Sequence, residues 1–273
     1  MTRRSALPGF SLTLGLTLTW VSLIVLIPMS AVFIRSMGDG WAHFIEVGFS
    51  DRALAAYRVT FGAAAFATLI NAVFGLLVAW VLVRVPFPGR RLMSAAIDLP
   101  FALPTAVAGI ALTAIYANTG WVGSWLEPLG IKIAYHPEGI VVALIFIGLP
   151  FIVRTIEPVL VDMDRGIEEA AASLGASRWQ IFSRVIFPEI APALVTGCAM
   201  AFARSVGEYG SVIFIAGNMP KVSEIAPLLI VTSLEQYDYA GASAIAVIML
   251  LVSLSILLLI NLRQGRALRR RGL

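Results

Sequence analysis

One stretch near the end of this chain reads Tyr239-Ala-Gly-Ala-Ser-Ala-Ile-Ala-Val-Ile-Met-Leu-Leu-Val-Ser-Leu-Ser-Ile-Leu-Leu-Leu-Ile-Asn-Leu262, and it contains no charged residue. A helix needs about 20 predominantly apolar residues to cross the hydrocarbon core of a bilayer, and this stretch is long enough. An Arg-rich segment that begins at Arg263 follows it directly. The stretch therefore predicts a membrane-spanning helix.

Similar stretches recur along the rest of the chain. Three more contain no charge: Ser5–Ile34, Val59–Val83 and Leu99–Leu126. Two others are apolar but each contains one Arg and one Glu: Gly139–Val161 and Ile190–Gly217. A backbone in lipid must satisfy its own hydrogen bonds, so these stretches are expected to be helical. We predict an all-α membrane protein with six transmembrane helices, near residues 10–34, 59–83, 97–117, 139–161, 190–216 and 240–262.

The composition excludes an ordinary water-soluble domain. The 273 residues are 59% hydrophobic and 13% charged, and the mean hydropathy is +0.89, whereas soluble domains are about 45–50% apolar and about 25% charged. Cys198 is the single cysteine, so no disulfide forms within the chain, and neither His43 nor His136 has a metal-binding spacing. No linker divides the sequence. We therefore expect one membrane domain over residues 1–273, with no metal and no cofactor bound by the chain.

The basic residues indicate the orientation of the helices. With the N-terminus inside, thirteen Lys and Arg residues fall in cytoplasmic segments and five in outer segments. Cytoplasmic loops of membrane proteins carry an excess of Lys and Arg, so both termini are predicted to be cytoplasmic. The Arg cluster at the C-terminus then lies near anionic lipid headgroups and indicates no nucleic-acid partner.

The longest cytoplasmic connection, residues 162–189, has the composition of two short helices. Ile167–Leu174 is a strong helix former, and Gly175 is a typical C-terminal stop. A second helix is expected over Ser177–Val185, with Pro188 opening the next span. On these residues alone, a docking element and a hairpin packed against its own bundle are equally good interpretations.

The spacing in this loop resembles the EAA loop of ABC importer permeases, which has Glu-Ala-Ala, three residues, Gly, nine residues and then Ile-x-Leu-Pro. In this chain the matching residues are Glu169-Ala170-Ala171, Gly175 and Val185-x-Phe187-Pro188. Val and Phe replace Ile and Leu, and both remain apolar. The resemblance implies the type I ABC importer permease fold, alternating access, and a coupling helix that sits in a cleft of an ATPase. The residues expected to couple to the ATPase are Glu168, Glu169, Ala170, Ala171, Gly175, Trp179 and Pro188.

The sequence contains no P-loop for binding ATP. A P-loop requires Gly-x-x-x-x-Gly-Lys followed by Ser or Thr, and neither Lys132 nor Lys221 is preceded by Gly. We therefore expect a transport subunit rather than an enzyme, with ATP and Mg bound by a partner ATPase.

Two further stretches resemble the sulfate and molybdate permease family: Asp98–Gly109, with two prolines four residues apart, and Ala203–Asn218. The second, together with the residues that follow it to position 241, is most similar to the T-type sulfate/thiosulfate permeases. The resemblance implies a related second permease, two ATPase subunits, a periplasmic sulfate-binding protein and the bacterial inner membrane. Each of the two prolines removes a helix hydrogen bond, so we also expect a kink or a partly unwound segment there.

The charged residues within the spans form two candidate pairs. Charged groups inside a membrane are costly and usually face a bundle interior or a wet cavity. Arg204 and Glu208 are four residues apart, which places them on one face of the predicted helix, so they can pair. With Tyr209 they are candidates for the translocation pathway or its gate. A structural ion pair between helices is the alternative. Arg154 and Glu157 are three apart, and for them we favour a structural role.

Three other functions remain open at this level. A molybdate or other oxyanion ABC permease would have nearly the same residues. A proton-coupled secondary transporter would use Arg204 and Glu208 as a relay, although no internal inverted repeat of the kind found in such folds is visible. A non-transporting assembly factor would show no flux.

Overall fold

The computed structural model describes residues 10–270, and for Ser11 and residues 265–270 it describes the backbone alone. In this range the regular structure is helical throughout. The α-helices in chain order are α1 (Phe10–Val21), α2 (Ile27–Ser36), α3 (Gly40–Gly48), α4 (Asp51–Arg84), α5 (Arg90–Ile97), α6 (Leu99–Ala102), α7 (Thr105–Tyr116), α8 (Gly123–Leu126), α9 (Pro137–Asp162), α10 (Arg165–Ser173), α11 (Arg178–Ile181), α12 (Phe187–Val206), α13 (Val212–Ile215), α14 (Ala226–Glu235) and α15 (Tyr239–Arg270). Two π-helical segments, Ser22–Leu26 and Phe182–Ile186, join α1 to α2 and α11 to α12.

Among the described residues, five helical runs are long and apolar enough to cross a membrane. They are Leu12–Ser36, Asp51–Arg84, Pro137–Asp162, Arg178–Val206 and Tyr239–Gln264. Each overlaps a span predicted from the sequence. The multi-pass character of the chain is thus confirmed, while the count of uninterrupted helices is one lower than predicted.

The third predicted span, residues 97–117, is a broken helix. Leu103 has an extended backbone between α6 and α7, and Pro104 precedes the first residue of α7. With 12 residues, α7 is about 18 Å long and too short to span the bilayer by itself. The expected interruption at the two prolines is confirmed, because Pro100 and Pro104 each remove a backbone donor.

The fifth predicted span ends earlier than residue 216. α12 stops at Val206, and the backbone is irregular through residues 207–211 before the short helix α13 begins. Glu208 and Tyr209 therefore lie beyond the helix, and the expectation that Arg204 and Glu208 share one helix face is wrong.

Small residues allow the two central helices to approach closely. The buried face of α4 includes Ala64, Ala67, Gly75 and Ala79 at helical spacing. A Cβ on Gly75 would lie 2.8 Å from Ile152 Cγ2 of α9. Without a hydrophobic effect between helices in lipid, close packing of small residues is a main source of helix association. The pair α4 and α9 forms the centre of the bundle, with α12 packed against both.

The short helix α14 lies in the connection before α15, with Pro227 in its first turn. Ala226, Leu229 and Ser233 are buried on one face, which packs against α4 and α15. This segment therefore packs on its own bundle.

Candidate functional site

The first half of the predicted coupling loop, residues 162–189, is a capped helix. The Asp164 side chain accepts a hydrogen bond from the Gly166 backbone N–H at 2.8 Å and so caps α10. A short acidic side chain at this position satisfies one of the free donors of the first turn. The start of the helix at Arg165 is two residues earlier than predicted.

Gly175 ends this helix in a Schellman motif. It has a φ of +84°, in the left-handed region that favours glycine. The Gly175 N–H donates to the Ala172 carbonyl at 2.9 Å, and the Ala176 N–H donates to the Ala171 carbonyl at 3.1 Å. These two bonds are the defining pair of this helix end. The predicted stop at Gly175 is thus present, and it fixes the angle between the two halves of the loop.

The second half of the loop is continuous with the next span. Ser177 and Gln180 form a reciprocal capping box at the start of α11. The helix then passes through the π-helical segment Phe182–Ile186 directly into α12. The expected helix over Ser177–Val185 is therefore not a separate element, because it is part of one helical run, Arg178–Val206. Pro188 lies in the first turn of α12, as the expectation that it opens this span requires.

Apolar side chains project from the loop into solvent. Leu174 is 90% exposed and Trp179 is 72% exposed, and Ile167 is more than half exposed. Glu169 and Ala170 are also exposed, whereas Glu168 is partly buried. A patch of large apolar residues on a polar face is typical of a protein contact. Of the predicted coupling residues, Glu168, Ala171 and Pro188 are partly buried, and Glu168 pairs with Arg84 of its own bundle.

Arg154 of α9 holds the broken third span in place. Its Nε donates to Asp98 Oδ1 at 2.8 Å, and its Nη2 donates to Asp98 Oδ2 at 2.5 Å. Nη2 also contacts the backbone oxygen of Ser94 at 2.9 Å, near the end of α5, and Nη1 contacts Glu157 Oε2 at 2.5 Å. A guanidinium is well suited to such a forked set of acceptors. The contacts match the structural role expected for Arg154 and Glu157.

Arg204 and Glu208 form an ion pair across the end of α12. Arg204 Nη1 lies 2.6 Å from Glu208 Oε2, and the Glu208 side chain is 2% exposed. Glu208 Oε1 accepts hydrogen bonds from the Ser211 N–H at 2.9 Å and the Ser211 hydroxyl at 3.0 Å. Tyr209 is next in the chain and is partly buried. The predicted pair is present, and its carboxylate also organises the irregular segment.

The interruption after α12 meets the interruption before α7. A Cβ on Gly109 of α7 would overlap the Ser211 carbonyl oxygen, and a Cβ on Gly210 would overlap the Thr105 hydroxyl. Helices α7 and α13 pack on each other. Irregular backbone at membrane depth is found where it is enclosed by protein or lines a water-filled cavity. The two broken elements therefore form one non-helical region next to Arg204 and Glu208.

The two histidines lie apart in the structure. His136 immediately precedes α9, and His43 lies within α3 rather than in an irregular connection. His43 Nε2 is 3.9 Å from Asp39 Oδ2 and 3.8 Å from Asp238 Oδ1. These three side chains come together where α3 packs on the start of α15, outside both the coupling loop and the Arg204–Glu208 pair.

Several partners of the charged residues were not predicted from the sequence. Arg84 pairs with Glu168, Asp98 with Arg154, and Arg52 with Glu224. Each pair joins residues more than 50 positions apart, so helical spacing cannot reveal it. The available signal was only that Arg84 and Arg52 flank the second span.

Comparison with known proteins places the chain in a transporter family. Residues 71–271 match the family described as "Binding-protein-dependent transport system inner membrane component". The chain is 50% identical over 247 residues to the "Probable sulfate transport system permease protein cysT" of Nephroselmis olivacea, covering 90% of this chain and 87% of the relative. It is 49% identical over 267 residues to the "Sulfate transport system permease protein CysT" of Escherichia coli (strain K12), covering 98% of this chain and 96% of the relative.

The fold is also similar to that of a solved structure, a bacterial ABC transporter involved in the import of the acidic polysaccharide alginate. The TM-score is 0.78 at 18% sequence identity, and the match covers 94% of this chain and 96% of that chain. At this identity the likeness concerns the fold alone.

Proposed function

The chain belongs to the family of binding-protein-dependent transport system inner membrane components, and on that basis we propose that it is the permease subunit of an ATP-driven ABC importer that carries sulfate into the cytoplasm. Relatives similar over almost the entire chain carry the name of sulfate transport system permeases, so the proposal does not depend on one shared segment. The chain is a transport component. The ATPase that powers it, with ATP and Mg, is a separate subunit.

The observation that carries the mechanism is the geometry of the coupling loop. Its exposed side chains Leu174 and Trp179 project from a helix pair whose angle is fixed at Gly175. Because α11 runs continuously into α12, a displacement of the loop moves a membrane span with it. We assign the exposed residues Glu169, Ala170, Leu174 and Trp179 to the surface that contacts the ATPase.

The orientation follows from the same assignment. The coupling loop must lie in the cytoplasm to reach an ATPase, and the distribution of Lys and Arg agrees, so both termini are cytoplasmic. With α6 and α7 together forming a broken third crossing, the six passes keep the two ends of the chain on one side. The membrane is the inner membrane of a bacterium.

The Arg204–Glu208 pair is assigned to the gate of the pathway. It lies beside the irregular segment after α12, which packs on the start of α7 through Gly210 and Thr105 and on Gly109 through Ser211. Backbone there can rearrange without breaking a long helix. Broken helices at membrane depth are where transporters place substrate-handling residues. Tyr209, next to Glu208, belongs to the same segment. ATP binding draws the coupling loop toward the ATPase dimer, and the gate at the Arg204–Glu208 pair opens the pathway to the outer side. ATP hydrolysis then returns the pathway to its starting state.

The working complex contains more subunits than this chain. A second related permease completes the pathway, two ATPase subunits power it, and a periplasmic sulfate-binding protein delivers the substrate. Selectivity resides mainly in the binding protein, because a pore that bound sulfate tightly would release it slowly.

Co-purification tests this assignment. The chain is isolated from detergent-solubilised membranes, and ATPase activity is measured in the eluate with and without sulfate-loaded binding protein. We expect an ATPase and a second permease in the eluate, and faster hydrolysis when loaded binding protein is added. A chain that elutes alone and without ATPase activity contradicts the assignment and favours a secondary transporter.

A further inference from the structure

Helix α4 runs unbroken from one side of the protein to the other. Its 34 residues give a length of about 51 Å, more than the hydrocarbon core of a bilayer. It contains no proline, whereas its neighbours α9 and α12 each contain prolines within the helix. An Arg stands at each end, Arg52 in the first turn and Arg84 as the last residue. Both of these arginines form ion pairs with residues far away in the sequence.

The Arg84 pair joins α4 to the first half of the coupling loop. Arg84 Nη2 donates to Glu168 Oε1 at 2.5 Å. The side chains are 10% and 23% exposed, so solvent screens this pair less than a surface ion pair. Arg84 also suits the C-terminal end of the helix dipole. Glu168 therefore contacts its own bundle, and Glu169, which is exposed, is left to face the ATPase.

A second contact joins α4 to the other half of the loop. The Trp80 ring meets the Phe182 ring edge-on, with centroids 5.8 Å apart, and Phe182 stacks on Trp179 at 5.7 Å. The Arg84 guanidinium lies over the same Trp80 ring at 5.6 Å. Both halves of the loop thus contact the last turn of α4, one through charge and one through aromatic rings.

The opposite end of α4 is fastened to the loop before α14. Arg52 donates two hydrogen bonds to Glu224, from Nε at 2.8 Å and from Nη2 at 2.6 Å. The Glu224 side chain is 3% exposed. About two turns further along α4, the Thr60 hydroxyl accepts a hydrogen bond from the Ala226 N–H at 2.8 Å. The same loop presents Met219 and Val222 to solvent.

We propose that α4 is a rod that transmits movement between the coupling loop and the outer loop of residues 217–225, with Arg84–Glu168 and Arg52–Glu224 as its two latches. The proposal rests on the proposed function, because it names how that importer relays its ATPase cycle to the face where the binding protein docks. Arg84, Glu168, Arg52 and Glu224 are positioning residues. They act by keeping the two loops attached to one rigid helix.

The inner latch is tested by a double-mutant cycle on the assembled complex in proteoliposomes. We measure sulfate imported per ATP hydrolysed for Arg84→Ala, Glu168→Ala and the double variant. Each single variant is expected to lower this ratio by about fivefold or more, the low end of ordinary coupling between two sites. The double variant is expected to match the singles, because the two residues act through each other. Arg90→Ala changes an exposed Arg at the start of α5. It is the matched control and is expected to keep the wild-type ratio.

The outer latch is tested by stimulation of hydrolysis. Arg52→Gln together with Glu224→Gln removes both charges without leaving one buried alone, so the complex is expected to assemble. Basal ATPase activity is expected to stay at the wild-type level, while the increase caused by sulfate-loaded binding protein falls by about fivefold or more. Arg58→Gln, near the same end of α4, is the control.

The outcomes distinguish a failure of the proposed role of α4 from a failure of the proposed importer function. If the wild-type complex shows no sulfate uptake and no stimulated ATPase activity, the proposed function itself is wrong. A wild-type complex that transports, with single inner-latch variants at the wild-type ratio, overturns the rod. A double variant whose loss equals the product of the single losses also overturns it, as does full stimulation in the outer-latch variant.

Discussion

Arg204 Nη1 and Glu208 Oε2 lie 2.6 Å apart, although α12 ends between them at Val206. The pair therefore joins a regular helix to an irregular segment, and its two residues do not lie on the face of one helix. The same carboxylate receives the Ser211 N–H and hydroxyl. The Glu208 carboxylate at this junction can therefore stabilise one conformation of the irregular segment, as the proposed gate requires.

Removing either charge of this pair is expected to impair transport. Glu208→Gln keeps an acceptor for Ser211 but leaves Arg204 without its counter-ion, and Arg204→Ala removes the cation. Sulfate uptake by assembled complexes should fall by about tenfold or more, because a charged side chain within the membrane is costly without its partner. Wild-type uptake in both variants would exclude a role in the pathway and favour a purely structural pair.

Gly175 offers a test that depends on backbone conformation alone. Its φ is +84°, and a Cβ there would meet no atom within 4 Å, so strain is the only cost of a side chain. Gly175→Val should tilt the loop and lower the sulfate imported per ATP, since the left-handed region costs an L residue about 1–2 kcal/mol. Gly175→Asn should retain most of the coupling, because Asn tolerates this region. Equal behaviour of Val and Asn would contradict this account.

Close packing at the paired interruptions gives a third prediction. Gly109→Ala places a Cβ against the Ser211 carbonyl, whereas Gly207→Ala meets no atom within 4 Å. Overpacking of this kind costs about 1–3 kcal/mol. The melting temperature of the purified complex should fall for Gly109→Ala and stay near the wild-type value for Gly207→Ala. A stable Gly109→Ala complex would show that the two broken elements do not need this contact.

Arg154 is expected to act through stability. Arg154→Lys keeps a positive charge but loses the fork that binds Asp98 and Ser94, and Arg154→Met loses both. Because the side chain is partly exposed, the loss of stability should be about 1–3 kcal/mol, larger for Met than for Lys. Thermal unfolding of the complex measures it. An unchanged melting temperature with abolished uptake would instead place Arg154 in the pathway.

The sequence was informative wherever a property is local. Charge-free stretches located the long helices, Pro100 and Pro104 marked the break in the third span, and Gly175 marked the end of α10. The pairs at helical spacing, Arg154–Glu157 and Arg204–Glu208, were also readable. Local pattern was misleading at two places. Apolar composition continues past Val206 although the helix does not, and the composition of residues 177–185 does not show that this helix continues into α12.

Partners set by packing could not be read from the chain. Glu168 was assigned to the ATPase surface with Glu169, yet its orientation toward Arg84 depends on how α4 and α10 meet. The same holds for Asp98 beside Arg154 and for Glu224 beside Arg52. In each case the partner is more than 50 residues away, and only the folded bundle brings the two charges together.

Uptake of radiolabelled sulfate into proteoliposomes tests most directly whether this chain is the permease of an ATP-driven sulfate importer. The vesicles contain this chain with its partner permease and ATPases, with ATP enclosed at the cytoplasmic side and sulfate-loaded binding protein outside. We expect accumulation of sulfate that requires ATP and the binding protein and is unaffected by a protonophore. Uptake by the chain alone that a protonophore abolishes, or no uptake by the full complex, would contradict it.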